Sequence, residues 1–146
     1  MTQVTPRLFI GSYDEASDLH WLLRNKITRV VNMSEEHENY FPNNFLYFRG
    51  DAFDHPSQSL LKIFKEGYEF MIEGMKNGGS ILVHCHAGIS RSASMILYYL
   101  MRTYGWSLEK AFNYLKNLRP RIQPNSGFMN QLKLVEKNLL SKRRKR

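Results

Sequence analysis

Short apolar runs alternate with amphipathic stretches along this chain. Leu8-Phe9-Ile10-Gly11 reads as a strand closed by a glycine, and Ile27 to Met33, with Ile27, Val30 and Val31, as a buried β-branched strand. Phe45 to Phe48 and Ser80 to His84 read as two more. Between the first two lies helical spacing from Asp14 to Asn25, carried by Ala16, Leu19, Leu22 and Leu23. A longer helix is expected from about Ser57 to Lys76, where Leu60, Phe64, Tyr68, Met71 and Met75 recur at three- and four-residue steps and Asn77-Gly78-Gly79 stops the pattern. Ala93 to Tyr104 is apolar nearly all round, which predicts a helix buried under a sheet. Ser107 is placed to cap a helix carrying Ala111, Phe112, Leu115 and Leu118, and a last helix is expected from about Ser126 to Leu140. Strands alternating with helices predict a single α/β domain with a mostly parallel sheet. In such sheets ligands sit beyond the carboxyl ends of the strands.

The chemistry-bearing residues cluster at one such strand end. Val83-His84-Cys85-His86-Ala87-Gly88-Ile89-Ser90-Arg91-Ser92 runs from an apolar strand through a tight loop into the buried helix. The thiol of Cys85 therefore lies at a helix N-terminus, where N–H groups and the dipole favour negative charge, including a thiolate or a bound oxyanion. Arg91 adds a planar fork of donors that matches two phosphate oxygens, and Gly88 lets the loop curl. A bare Cys-x5-Arg would more often be a core cysteine and a surface charge; the flanking His84, Ser90 and Ser92 make this a specific pattern.

His-Cys-x-x-Gly-x-Ser-Arg-Ser resembles the phosphate-binding loop of the cysteine-dependent protein tyrosine phosphatase superfamily, in its dual-specificity branch. Leu8 to Ser12 with Ile27 to Asn32 is similar to that family's opening strands. Asp54, 31 residues before Cys85, matches its general-acid loop in order and distance, and Arg119 to Phe128 resembles its closing segment. The resemblance implies a tyrosine-phosphatase-like fold with a five-stranded, mostly parallel sheet flanked by helices. It implies a catalytic domain over residues 1–141, without an added targeting domain, followed by a basic tail at 142–146.

The implied reaction is hydrolysis of phosphotyrosine and phosphoserine or phosphothreonine through a phosphocysteine. Cys85 is the expected nucleophile, and Asp54 the general acid and then base, with Asp51 as rival. The backbone of His86, Ala87, Gly88, Ile89, Ser90 and Arg91, with the Arg91 guanidinium, is expected to hold the phosphate. Ser92 is placed to donate to the sulfur as it leaves, or is simply a polar residue of the first helical turn. His84 is expected to be buried and to orient the loop, and His86 to face the entrance. Asn125 reads either as a brace on the loop backbone or as a helix cap. No aromatic loop for gripping phosphotyrosine is visible, which favours a shallow pocket.

A metal-ligand role for His84 and His86 is not expected, since their side chains alternate across a strand end, and the resemblance implies no metal or organic cofactor. Two alternatives stay open: a phosphatase of a phosphoinositide or RNA 5′ end, and a phosphoprotein-binding module with little catalysis.

Net charge changes the picture little. The chain of 146 residues carries +8, but Lys142 to Arg146 supply five of those charges, leaving +3 for the body. That tail is expected to be a solvated, disordered end; a nuclear import signal, a contact for an acidic partner or one for anionic lipid are its functional readings. One cysteine excludes an internal disulfide and fits a reducing cytoplasm or nucleus. Neither a transmembrane run nor a secretory signal is expected, and a monomer is.

Overall fold

The computed structural model describes residues 1–144. Five strands, β1 (Thr2–Thr5), β2 (Leu8–Gly11), β3 (Ile27–Asn32), β4 (Leu46–Arg49) and β5 (Ser80–His84), form one sheet in the order β1-β2-β5-β3-β4. β5 is central and parallel to both neighbours, with Gly11 and Asn32 level with His84. β3 and β4 are also parallel, and only the β1–β2 hairpin is antiparallel.

The helices are α1 (Tyr13–Ala16), α2 (Leu19–Arg24), α3 (Leu61–Lys76), α4 (Arg91–Tyr104), α5 (Leu108–Leu118) and α6 (Ser126–Arg144). Strand alternation divides the core. Leu8, Ile10, Ile81 and Val83 face the larger cluster with α3 to α6, whereas Phe9, Val30 and Leu82 face a smaller one with Ala16 and Leu22 of α1 and α2. Every residue of α4 from Arg91 to Met101 is buried, as the unbroken apolar pattern predicts. Its end is a left-handed Gly105 at φ 70°.

The pattern of strands and helices holds, with five differences at the edges. β1 escapes sequence reading because only Val4 of its four residues is buried. The single helix expected over Asp14–Asn25 is two short ones, because Asp18 accepts from Trp21 N–H at 3.0 Å and starts α2 afresh. α3 begins at Leu61 rather than Ser57, since the backbone of Gln58 and Leu60 bonds to Gln131 of α6. α4 begins at Arg91, one turn's edge earlier than the apolar run. α6 continues through Arg144, so the tail expected to be disordered starts inside a helix; Lys145 and Arg146 lie outside the described residues. Among the described residues no helix is long and apolar enough to cross a membrane.

Candidate active site

The loop from Cys85 to Ser90 is held by its carbonyls. Cys85 O accepts from His84 Nδ1 at 3.2 Å, and His86 O from Tyr13 N–H at 3.0 Å. Ala87 O and Gly88 O accept from Arg119 Nη2 and Nε at 3.2 and 2.8 Å. Ile89 O accepts from Gln123 N–H at 2.8 Å, and Ser90 O from Ser94 N–H and Oγ at 2.9 and 2.7 Å. The peptide bonds of the described residues are trans, so a carbonyl tied on one side turns the next N–H to the other. None of the N–H groups of residues 86–91 donates to a loop carbonyl, an arrangement suited to an anion. Gly88 is required for this curve. Its φ is +70°, and a Cβ there would lie 2.7 Å from Gly11 O and 2.5 Å from Arg119 Nη2.

Cys85 lies at the floor of a pocket of about 190 Å³ lined also by Glu36, Asp54, His86, Ile89 and Arg91. Its Sγ is 3.2 Å from Ser92 Oγ. A larger groove of about 460 Å³ runs between α5 and α6, but its lining, including Phe112, Met129 and Glu136, offers no nucleophile.

Arg91 is buried and paired with a residue sequence reading did not single out. Its Nη1 and Nη2 donate to the two Glu36 carboxylate oxygens at 2.5 and 2.8 Å, and Nη1 also to Ala52 O at 2.8 Å. Among the described residues Arg91 Nε has no protein partner. One edge of the guanidinium is thus fixed and a donor on the other is left for a ligand. The Arg91 hydrogen bond holds the Glu36 carboxyl at about 2, against the opposing effect of burial. Burial works against the charge on Arg91 too, yet Glu36, with Cys85 and Asp54 nearby, carries it above its ordinary value.

Asn32 brings Glu36 to this place. Buried at the end of β3, it donates to His37 O at 2.7 Å and accepts from Ser34 N–H and Oγ at 3.0 and 2.6 Å, curling residues 34–37 over the loop. The signal was present: an acidic run directly after a parallel strand beside β5.

The histidines behave differently from one another. His84 is fully buried, and burial pushes it down to about 4, so it is neutral. With its Nδ1–H on Cys85 O, the other ring nitrogen is a bare acceptor with no partner among the described residues. His86 is exposed at the entrance, as expected from the sequence. Its Nδ1 is hydrogen-bonded to His37 Nε2 at 2.9 Å, and His37 Nδ1 to Tyr40 Oη at 2.7 Å. Tyr13 stacks on both rings at 5.0 Å.

The candidate acids separate cleanly. Asp54 lines the pocket and accepts from Asn125 Nδ2 at 2.9 Å. Asp51 points elsewhere, paired with Arg49 Nε at 3.0 Å and largely exposed. Of the two readings of Asn125, the structure shows the helix cap and not the brace on the loop backbone. Its Oδ1 caps α6 by accepting from Phe128 N–H at 2.9 Å, its Nδ2 holds Asp54, and its own N–H donates to Ser90 Oγ at 3.1 Å. The loop brace is Arg119, whose sequence setting gave no local sign of that task.

Among the described residues the group that could hold a metal ion is Glu36, His37 and His86, with one ligand atom each within 4.8 Å of the others. Glu36 is paired with Arg91 and the two imidazoles are bonded to each other, so a cation there would compete with both contacts.

Comparison with known proteins agrees with this geometry. The family described as dual specificity phosphatase, catalytic domain, matches residues 8–138. Mouse protein phosphatase Slingshot homolog 3 is 37% identical over 142 residues, covering 97% of this chain and 22% of the relative. Human Slingshot homolog 1 is 40% identical over 129 residues, covering 88% and 12%. The chain thus spans about a fifth or less of the length of these curated relatives. Among solved structures, human DUSP28 superposes with a TM-score of 0.92 at 35% identity, over 97% of this chain and 99% of that one. A cysteine loop tied by its carbonyls, an arginine clamped beside it, and a family match over residues 8–138 place it in one family: this chain belongs to the dual-specificity phosphatases.

Proposed function

We propose that the chain is a protein phosphatase that hydrolyses phosphotyrosine, phosphoserine and phosphothreonine through a phosphocysteine. The observation that supports this reading is that every carbonyl from residue 85 to residue 90 is tied to a partner, which favours the N–H groups of residues 86–91 as donors to a bound anion. A tetrahedral dianion fits such a set of donors; a neutral or planar group leaves donors unused.

In this reading the Cys85 thiolate attacks phosphorus in line as the bond to the leaving oxygen breaks. The N–H groups of residues 86–91 and Arg91 Nε hold the equatorial oxygens while charge redistributes. Asp54, oriented through Oδ1 by Asn125, delivers the proton on Oδ2 to the departing oxygen. Water then attacks the phosphocysteine and returns a proton to Asp54, while Ser92 Oγ donates to the departing sulfur from 3.2 Å. The small pocket and exposed Asp54 suit short phosphoseryl and phosphothreonyl side chains as well as phosphotyrosine.

The test is Cys85→Ser assayed against phosphotyrosine and phosphothreonine peptides and a phosphoinositide. Hydrolysis of both peptides by the wild type, lost in the variant while peptide binding persists, is expected. Preference of the wild type for the phosphoinositide, or undiminished hydrolysis by the variant, would overturn the reading.

A further inference from the structure

The segment from Asp54 to Leu60 lies against the start of α6 and meets it at every second residue. Asn125 Nδ2 donates to Asp54 Oδ1 at 2.9 Å. At residue 56 the chains approach so closely that a Cβ on Gly127 would sit 2.0 Å from Pro56 O. One helical turn further on, the Gln131 amide makes two contacts at once. Its Nε2 donates to Gln58 O at 2.8 Å, and its Oε1 accepts from Leu60 N–H at 2.6 Å. Leu60 opens α3 with no side-chain cap of its own. Within the segment, Gln58 N–H donates to His55 O at 3.0 Å and Gln58 Oε1 accepts from Phe53 N–H at 3.3 Å, so residues 53–58 form one small folded turn. Gln131 holds the downstream end of that turn, and Asn125 holds Asp54 itself.

We propose that Gln131 is a positioning residue for proton transfer: its amide pins the turn that carries Asp54 to α6, so that the carboxyl stands beside Cys85 before substrate arrives. The inference rests on the reading of Asp54 as the general acid. A primary amide suits this task because it offers a donor and an acceptor on one rigid plane. Glutamate loses the donor, and asparagine is one methylene short of the reach. Gln131 touches neither the phosphate loop nor the pocket, so its effect must pass through the turn. Misplacing a reacting group by about 1 Å costs on the order of a hundredfold in rate.

The experiment compares kcat/KM for two substrates on one enzyme sample. One is a phosphotyrosine peptide, whose leaving phenolate needs a proton; the other is an aryl phosphate with a strongly acidic, fluorinated phenol, which does not. Gln131→Met is expected to lower the first about tenfold or more and the second less than about twofold. Because the readout is a ratio within one sample, any loss of folded protein cancels. In an Asp54→Asn background, Gln131→Met should add no further loss on the peptide. Gly127→Ala, which displaces the same turn, should show the same split.

Equal losses on both substrates, or a full extra loss in the Asp54→Asn background, would mark Gln131 as scaffold only. An unchanged ratio in Gln131→Met beside a crippled Asp54→Asn would overturn the positioning role and leave the acid standing. An Asp54→Asn enzyme with normal peptide turnover would instead overturn the acid assignment.

Discussion

Acidification should destabilise this protein through His84 well before the carboxylates respond. The ring is fully buried beneath the phosphate loop, and burial lowers it from 6.5 to about 4, with His37 and Arg91 adding to the same direction and the Cys85 carbonyl opposing it. In the unfolded chain the same imidazole takes a proton near pH 6.5. Between the two values the unfolded state binds a proton that the native state refuses, so stability is full above pH 6.5 and falls as pH drops toward 4. At pH 5 the loss relative to pH 8 comes to about 2 kcal/mol, an order-of-magnitude figure. His37, lowered chiefly by burial, acts in the same sense. Glu36, held at about 2, enters only below its ordinary 4.5, so measurements kept above pH 5 leave it out. Urea unfolding followed by the fluorescence of Trp21 and Trp106 at pH 8, 6.5 and 5 measures the slope, and His84→Gln should remove most of it. If the two proteins lose the same stability between pH 8 and 5, the argument that a neutral, buried His84 controls this window is wrong.

Other expectations are more direct. Glu36→Gln should lower kcat/KM about tenfold or less and weaken competition by vanadate, because Arg91 loses its charged clamp at a half-exposed carboxylate; unchanged vanadate inhibition would show that Arg91 is fixed by Ala52 O alone. Asp54→Asn should slow peptide turnover about a hundredfold or more while Asp51→Asn leaves it within about twofold, and the reverse order in a steady-state assay would move the acid to Asp51. Gly88→Ala should abolish turnover and lower the melting temperature, since φ +70° and Gly11 O at 2.7 Å both resist a Cβ; an active, stable variant would mean that the loop is far softer than its contacts imply.

Much of this was legible because the informative patterns are local. An apolar β5, a glycine-bearing loop and an all-apolar α4 are contiguous in sequence, and their order alone puts Cys85 at a helix mouth. The unread parts depend on partners far apart in the chain. Glu36 meets Arg91 across 55 residues and Arg119 reaches Gly88 across 31, so nothing beside either residue announces the pairing. The choice between brace and helix cap for Asn125 stayed open for the same reason: which group its amide meets is decided by where α6 docks. β1 went unseen because an edge strand with one buried residue has almost no hydrophobic signature.

The anchoring of the loop by its main-chain oxygens has a practical corollary. In the proposed reading phosphate recognition falls to peptide groups and Arg91, so it does not use the side chains of Ala87 and Ile89, which line the pocket. Those two positions are the ones to vary when the range of accepted phosphoesters is to be shifted, whereas His86 is tied to His37 beside the clamp on Arg91.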